Sequence, residues 1–295
     1  MVNQVQTLLR QAGSKDLQQL ANHIHFETHV HRHLDYRPPL DWIEHYPFLV
    51  LERNGEIIAS LACPPDPPSV AWIRLFTASS RISATEAWET LWIQALTGLG
   101  DKHDLQWAAA VPVHNWFAYQ LKKSGFNETH QIVMLSWEGP KLPEKPRPIP
   151  ANIRSMKSTD LVDAQKIDET SFVPIWQNSL SCLKYAFEQS VIATVAEAAG
   201  KLVGYQISMA TSQGGHLARL AVDTGFQGKG IGYALVCDLL SRFERRGTRI
   251  LTVNTQKNNL TSLAMYKKAS FVVTGEEYPI YQYKINGYYK NKNLI

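Results

Sequence analysis

The sequence predicts an α/β chain made of two tandem copies of one unit, and three observations carry that expectation. Residue identities recur at a constant separation of 145: Gly55 and Gly200, Arg74-Leu75 and Arg219-Leu220, Lys122-Lys123 and Lys267-Lys268, Phe126 and Phe271. An offset that holds across most of a domain length marks repeated structure. Runs of apolar strand character alternate with helical spacing in both copies. Between the copies, Gly139 to Pro150 carries proline every two or three residues. Such a run forbids helix and central strand and favours an extended connector. The expected division is therefore 1–139, a connector at 140–150, and 151–295.

Each copy opens on a similar stretch, Ser14-Lys15-Asp16-Leu17 and Ser158-Thr159-Asp160-Leu161. In the first copy, residues 48–52 and 57–62 read as strands joined by a turn at Gly55; residues 192–197 and 202–209 repeat this around Gly200. The first copy also holds His23, His25, His29, His31 and His33. His25, His29 and His33 are four apart, which would place them on one helix face; metal binding and an ordinary polar helix end are both open readings. In the second copy, residues 152–156 read as a strand leading into a helix capped by Ser158 or Thr159, with Leu161, Ala164 and Ile167 on one face. A further helix is expected over Leu180–Glu188. Phe172 to Trp176 lie between the two, as core or as the wall of a site. An apolar strand over 217–222 then runs into a glycine-rich loop and a helix with apolar Ile231, Ala234, Leu235, Leu239 and Phe243. That helix closes on Arg245-Arg246-Gly247, with cations in the last turn and a glycine beyond. A strand at 250–253 and a helix capped by Asn258-Asn259, running to about Ala269, follow.

Composition bounds the function. The 295 residues are 44% hydrophobic, enough for two packed cores, with a net charge of +4. That mild positive balance suits a polyanionic ligand and is too weak to indicate nucleic acid. A stretch of about 18 apolar residues is absent, so no membrane span is expected. Residues 1–10 lack the charged start and apolar core of a signal peptide. Cys63, Cys182 and Cys237 are odd in number and far apart. They read as reduced thiols of a cytoplasmic protein.

The loop Asp223-Thr224-Gly225-Phe226-Gln227-Gly228-Lys229-Gly230-Ile231-Gly232-Tyr233 carries the chemistry. A strand, a glycine loop and a helix N-terminus together hold a phosphate, because close backbone, first-turn N–H groups and the helix dipole all face the anion. A Lys-Ser or Lys-Thr pair after the last glycine is missing, which excludes a Walker-type loop. Glycines at first, third and fifth positions do not fit the dinucleotide fingerprint. The spacing Gln227-x-x-Gly230-x-Gly232 instead resembles the pyrophosphate loop of the GCN5-related N-acetyltransferase (GNAT) superfamily. A second stretch, Asn259-x-x-Ser262-x-x-Met265-Tyr266-x-x-x-Ser270-Phe271, is similar to that family's helix pattern, with Ser270 in place of the usual glycine.

The resemblance implies tandem domains, each a mixed, mostly antiparallel sheet flanked by helices, and acetyl-CoA as co-substrate without a metal. It implies that main-chain groups near Leu220, Ala221 and Val222 bind the pantetheine arm and thioester carbonyl. Gln227, Gly228, Lys229, Gly230, Ile231, Gly232 and Tyr233 would then hold the pyrophosphate. Asn259 would contact the arm, and the Tyr266 hydroxyl would protonate the leaving thiolate, as a phenol near pKa ~10 can. A core role for Tyr266 is the other reading. Period two places His216 on one strand face with Ala218, Leu220 and Val222. It falls where a branch of the family carries its base, and a histidine near pKa ~6.5 can take an ammonium proton; a solvated bystander is the alternative.

The first copy reads Ile82-Ser83-Ala84-Thr85-Glu86-Ala87 at the loop and carries Leu121 and His114 at the tyrosine and asparagine positions. It keeps the pattern of the fold and loses that of the site. The expected activity is acetyl transfer to a primary amine by direct attack within a ternary complex in the second copy. The rivals are a non-catalytic acyl-CoA sensor and an interaction scaffold. The acceptor, a small molecule or a protein N-terminal amine, stays open, as does the oligomeric state; no nucleic acid or membrane partner is expected.

Overall fold

The computed structural model describes residues 7–100, 102–139, 143–144, 146–212 and 214–285. Pro140, Lys141, Leu142 and Lys145 of the expected connector lie outside the described residues. Contacts divide the chain into two compact units, one running to Thr129 and resuming at Pro279, the other covering His130–Tyr278.

The first unit contains β1 (Thr7–Gln11), α1 (Leu17–Phe26), β2 (His29–Arg32), β3 (Phe48–Arg53), β4 (Glu56–Ala62), β5 (Val70–Trp72), β6 (Leu75–Ala78), α2 (Ala84–Gly100), β7 (Trp107–Ala110) and α3 (Asn115–Lys123). One sheet has the order β1-β3-β4-β6-β2. Separately, β5 runs parallel to β7, which pairs antiparallel with residues 281–284. The core is aromatic: Phe76, Trp88 and Phe117 are fully buried and meet edge-on or stacked.

The second unit contains β8 (Asn127–Glu138) from His130 onward, β9 (Asn152–Ser155), α4 (Leu161–Ser171), α5 (Leu180–Glu188), β10 (Ile192–Ala198), β11 (Lys201–Thr211), β12 (Gly214–Val222), α6 (Ile231–Arg245), β13 (Ile250–Gln256), α7 (Leu260–Lys268) and the first part of β14 (Val272–Lys284). Its sheet runs β9-β10-β11-β12-β13-β8, antiparallel except for the β12–β13 pair. Contacts thus divide the chain at 129/130 and 278/279, not at the proline run. The reason is a ladder from Ile132↔Gln256 to Glu138↔Ile250, which ties the last strand of the first copy into the second unit. Val133, Leu135 and Trp137 are buried there.

Local detail repeats with the sequence. Arg10 donates to Asp16 at 2.7 and 2.8 Å and to Glu52 at 2.9 Å. Arg154 donates to Asp160 at 2.8 and 2.9 Å and to Glu197 at 2.9 Å. In each copy the guanidinium bond holds the aspartate below its ordinary carboxyl range.

Two expectations are corrected. The histidine run is not one helix face: α1 ends at Phe26, and His29 and His31 lie on β2. The alternating run His29-Val30-His31-Arg32 finds strand partners on β6, and this long-range ladder overrides local helical spacing. Neither Ser158 nor Thr159 caps the helix that follows; Asp160 accepts the Lys157 N–H at 2.7 Å instead.

Ser270 has φ +68°, the left-handed conformation that Gly125 holds (+86°) at the matching turn of the first copy. The turn closes normally, with Phe271 N–H donating to the Tyr266 carbonyl at 3.0 Å. A Cβ in this conformation costs about 1–2 kcal/mol, part of which offsets the greater chain entropy of glycine. Ser270→Gly is therefore expected to stabilise the protein by about 0.5–1 kcal/mol, read as a raised urea midpoint. A lowered midpoint would contradict the strain.

Candidate active site

The site begins where β12 changes partners. Against β11 it pairs from Thr211↔Gly214 to Ser208↔Leu217, then from Ile207↔Arg219 to Gly204↔Val222, so Ala218 is an extra residue in a β-bulge. Against β13 it pairs only at Gly215, His216 and Leu217. Beyond that rung the two parallel strands part, and Leu220, Ala221 and Val222 have no rung on β13. A bulge bends and twists a strand in this way and turns its main-chain groups outward. The opening can receive an extended polar chain, and its N–H groups can meet a developing oxyanion.

The bulge also corrects the assignment of faces. Gly215 lies against Phe243 of α6, and Leu217 is buried in the same cluster. Past Ala218 the parity inverts, so Leu220 and Val222 pack with Ile231 and Leu235 on the α6 side. Arg219 points to α4. His216 therefore shares its face with Arg219 and Ala221, not with Leu220 and Val222, because the extra residue breaks the period of two.

The glycine loop sits at the end of β12. Asp223 accepts the Gly225 N–H at 2.9 Å and holds a short turn over Thr224–Phe226. Gln227 donates to the Val222 carbonyl at 3.0 Å, and Ser171 donates to the same oxygen at 3.0 Å. The Lys229 ammonium donates to the Gly225 carbonyl at 3.0 Å and lies 4.5 Å above the Phe226 ring. Gly228 (φ +74°) and Gly230 (φ +81°) are both left-handed, and Gly230 is the residue preceding α6. This conformation turns successive N–H groups and the open first turn of α6 the same way, which makes an anion cradle. A Cβ on Gly232 would stand 3.2 Å from the Met265 sulfur, so glycine lets α6 approach α7 closely. Tyr233 turns away from the cradle and donates to the Glu144 carbonyl at 2.8 Å.

Tyr266 on α7 is 5% exposed and lies in the apolar cluster that contains Leu217 and Val253, the last rung before the strands part. Burial pushes its hydroxyl well above the ordinary phenol range. Among the described residues that hydroxyl has no hydrogen-bond partner. Tyr266 thus stays protonated and free to donate. Asn259 caps α7, accepting the Ser262 N–H at 3.1 Å and donating to Gln256 at 3.2 Å. On the opposite face His216 is half-buried, and burial lowers its pKa below the ordinary imidazole value. It is neutral at pH 7. The acid candidate and the base candidate therefore flank the point where β12 and β13 separate, one on each face of the sheet.

Residues 163–279 match the model of the acetyltransferase (GNAT) domain. The ribosomal protein bS18-alanine N-acetyltransferase of Escherichia coli strain K12 is 25% identical over 126 residues, 40% of this chain and 79% of that one. A tandem GNAT protein from the clavulanic acid biosynthesis pathway superposes with a TM-score of 0.63 at 13% identity, covering 96% of this chain and 99% of its own. A GCN5-related N-acetyltransferase from Sphaerobacter thermophilus gives 0.61 at 14% identity over 95% and 96%. Residues 163–279 thus carry a GNAT acetyltransferase domain, and the chain as a whole shares the fold of these structures. These two structures share the fold across nearly the whole chain, so the tandem arrangement belongs to the fold as well as to the sequence repeat.

The GNAT fold also shows what the first copy has changed. There β6 stands where Leu220 to Val222 stand in the second copy, and it pairs on one side with β4, as β12 pairs with β11. Its other side is filled by β2, from His29↔Ala78 to Arg32↔Leu75. His31 fixes this strand: its Nε2 donates to the Ile73 carbonyl at 3.1 Å and its ring stacks on Phe117 at 4.1 Å. Burial pushes the His31 pKa down to about 3, so the ring stays neutral. At the loop, α2 starts at Ala84, and Ser83 Oγ accepts the Glu86 N–H at 3.1 Å. The edge is occupied by the chain itself, and a first-turn N–H is already bonded. Leu121 is buried at the tyrosine position.

One group escaped the sequence reading. Asp168 on α4 is fully buried and accepts from Arg219 Nε and Nη2, both at 2.6 Å, from Tyr205 and from the Asn178 N–H at 2.7 Å. Arg219 also donates to the Trp176 carbonyl at 2.6 Å and stacks on Phe172 at 3.7 Å. This network fixes the segment between α4 and α5. Ile175 is core there, whereas Val173 is exposed. The signal was the repeat itself, since Arg74 and Arg219 match; Arg74 pairs with Asp35, a carboxylate at an unrelated position.

Proposed function

We propose that the second copy, residues 151–295, is an N-acetyltransferase that moves an acetyl group from acetyl-CoA to a primary amine, with both substrates bound together. Residues 1–139 then form a copy that binds no cofactor, and 140–150 connect the two. The observation that supports this most is the parting of β12 and β13 beside a left-handed glycine cradle, in a copy whose counterpart has both features closed.

In this reading the cradle from Gln227 to Tyr233 binds the pyrophosphate through main-chain N–H groups, and Leu220 to Val222 hold the pantetheine arm. His216 takes the proton of the acceptor ammonium. The amine nitrogen then bonds the thioester carbon, whose oxygen faces main-chain N–H donors on β12. As the carbon–sulfur bond breaks, the Tyr266 hydroxyl gives its proton to the thiolate, and the second proton that the nitrogen sheds as the amide forms returns to the phenolate. The products are an amide and the free thiol. Similarity to an enzyme named for an alanine amino group supports an amine acceptor of that kind. A cytoplasmic setting fits the thiols; among the described residues no helix is long and apolar enough to cross a membrane. An acyl-CoA sensor would use the same cradle without turnover. The unpartnered Tyr266 hydroxyl favours the enzyme.

The test is calorimetric titration of the intact chain with acetyl-CoA. One site per chain is expected, abolished by Gly230→Asp, because aspartate would strain the left-handed position and set a carboxylate against the phosphates. Release of free thiol with an amine panel then separates enzyme from sensor. Two sites, or none, would overturn this assignment.

A further inference from the structure

We infer that Thr252 on β13 is a positioning residue that fixes the tautomer of His216 and so leaves Nε2 as the proton-accepting nitrogen. The inference rests on the reading of His216 as the base.

Thr252 stands opposite His216 on the first stretch of the parallel ladder, before the strands part. Its hydroxyl oxygen lies 2.9 Å from His216 Nδ1 and 3.3 Å from the Gly215 carbonyl oxygen. A hydroxyl has one proton to give and lone pairs to receive. The Gly215 carbonyl can only accept. If Thr252 donates to it, the imidazole must supply the proton for the shorter contact, and Nδ1 carries the hydrogen. Both bonds are then made in one chain, Nδ1–H to Oγ1 and Oγ1–H to carbonyl. In the other tautomer the hydroxyl gives its proton to Nδ1 and abandons the carbonyl, so one bond replaces two. The two-bond arrangement is favoured, and polarisation along the chain strengthens it. It leaves the lone pair on Nε2, which has no protein partner among the described residues.

The same bond fixes ring orientation. The ring projects on the face of Arg219, whose guanidinium is engaged by Asp168 and Trp176. Among the described residues the ring makes its hydrogen bond to Thr252. A side chain on the neighbouring strand thus chooses between the nitrogens, as a carboxylate does when it orients an imidazole in a hydrolase. Tautomer control by a neutral hydroxyl keeps the base weak enough to give up its proton after transfer, since no added charge raises its affinity.

The experiment is nitrogen-15 NMR of the imidazole in the intact chain above its titration, together with kinetics. In the wild-type protein the His216 signals, assigned by their absence in His216→Gln, should show Nδ1 protonated and Nε2 as the bare nitrogen. Thr252→Val, of equal shape, should shift the ring toward the Nε2-protonated form. It should lower kcat/KM for the amine about 10- to 100-fold while leaving acetyl-CoA affinity unchanged. Thr252→Ser should restore both. A bare Nδ1 in the wild-type chain, or a spectrum that Thr252→Val does not move, would overturn the inference. Undiminished turnover in His216→Gln would instead overturn the base reading beneath it, a result distinct from either spectrum.

Discussion

Tyr266→Phe is expected to lower turnover by about 100- to 1,000-fold while leaving acetyl-CoA affinity within about twofold. The two readouts separate because the phenol contributes in different ways to binding and to reaction. Its ring is buried against Phe271 at a centroid distance of 5.6 Å, and phenylalanine preserves that packing. Its hydroxyl bonds to nothing among the described residues, so removal orphans no partner and costs little stability. The proton matters only when sulfur departs with its bonding electrons. A thiolate leaving without a proton is a weaker leaving group, so a positioned proton donor speeds its departure. Burial raises the hydroxyl pKa, which keeps the donor loaded across the working range, so no alkaline fall in rate from Tyr266 itself is expected below the ordinary phenol pKa. Rate and affinity can be measured by thiol release and calorimetry on the same preparation. Equal losses in both would assign Tyr266 to packing and remove its acid role.

Much of this arrangement was legible from the sequence, and the parts that were not share a cause. The strand, loop and helix around Gly230 follow from local rules: apolar alternation, left-handed glycines, helical spacing. Leu180–Glu188 and Ile231–Arg245 are helices for the same reason, with Ile231, Leu235, Leu239 and Phe243 buried on one face. Repeat spacing located Arg219 but not Asp168, because a salt-bridge partner is chosen by tertiary packing, and Arg74 in the first copy uses Asp35 instead. Periodicity placed His216 with Leu220 and failed at Ala218, since a bulge is a single-residue event with no pattern of its own. Spacing alone puts His29 on a helix face with His25 and His33; it lies with His31 on a strand that exists because β6 has an edge to fill. That strand is also why losing the glycine loop was only half of what closed the first copy. The other half, an occupied sheet edge, requires two segments more than forty residues apart and is invisible to any local reading.

The largest stability effect is expected from Asp168→Ala, about 3–5 kcal/mol. The aspartate is fully buried and receives bonds from Arg219, Tyr205 and the Asn178 N–H. Truncation leaves a nearly buried guanidinium without its counter-charge and two further donors without acceptors, and each uncompensated group carries its desolvation cost. The pair itself is a different quantity. Desolvation of two charges offsets most of their attraction, so replacing both with apolar groups of similar volume should cost far less than removing one. A cycle of Asp168→Leu, Arg219→Met and the double variant tests this directly: the double variant should recover most of what Asp168→Leu alone loses. Recovery is not expected in function. Arg219 holds the Trp176 carbonyl and Asp168 holds the Asn178 N–H, so together they fix the segment between α4 and α5. A stable double variant with that segment released should bind acetyl-CoA normally, since the side chains of the cradle from Gln227 to Tyr233 bond the carbonyls of Val222, Gly225 and Glu144. Its KM for the amine should rise at least tenfold. If instead the double variant is as unstable as Asp168→Leu, the charges contribute net stability and the argument from desolvation is wrong. If its amine KM is unchanged, the segment between α4 and α5 does not line the acceptor site.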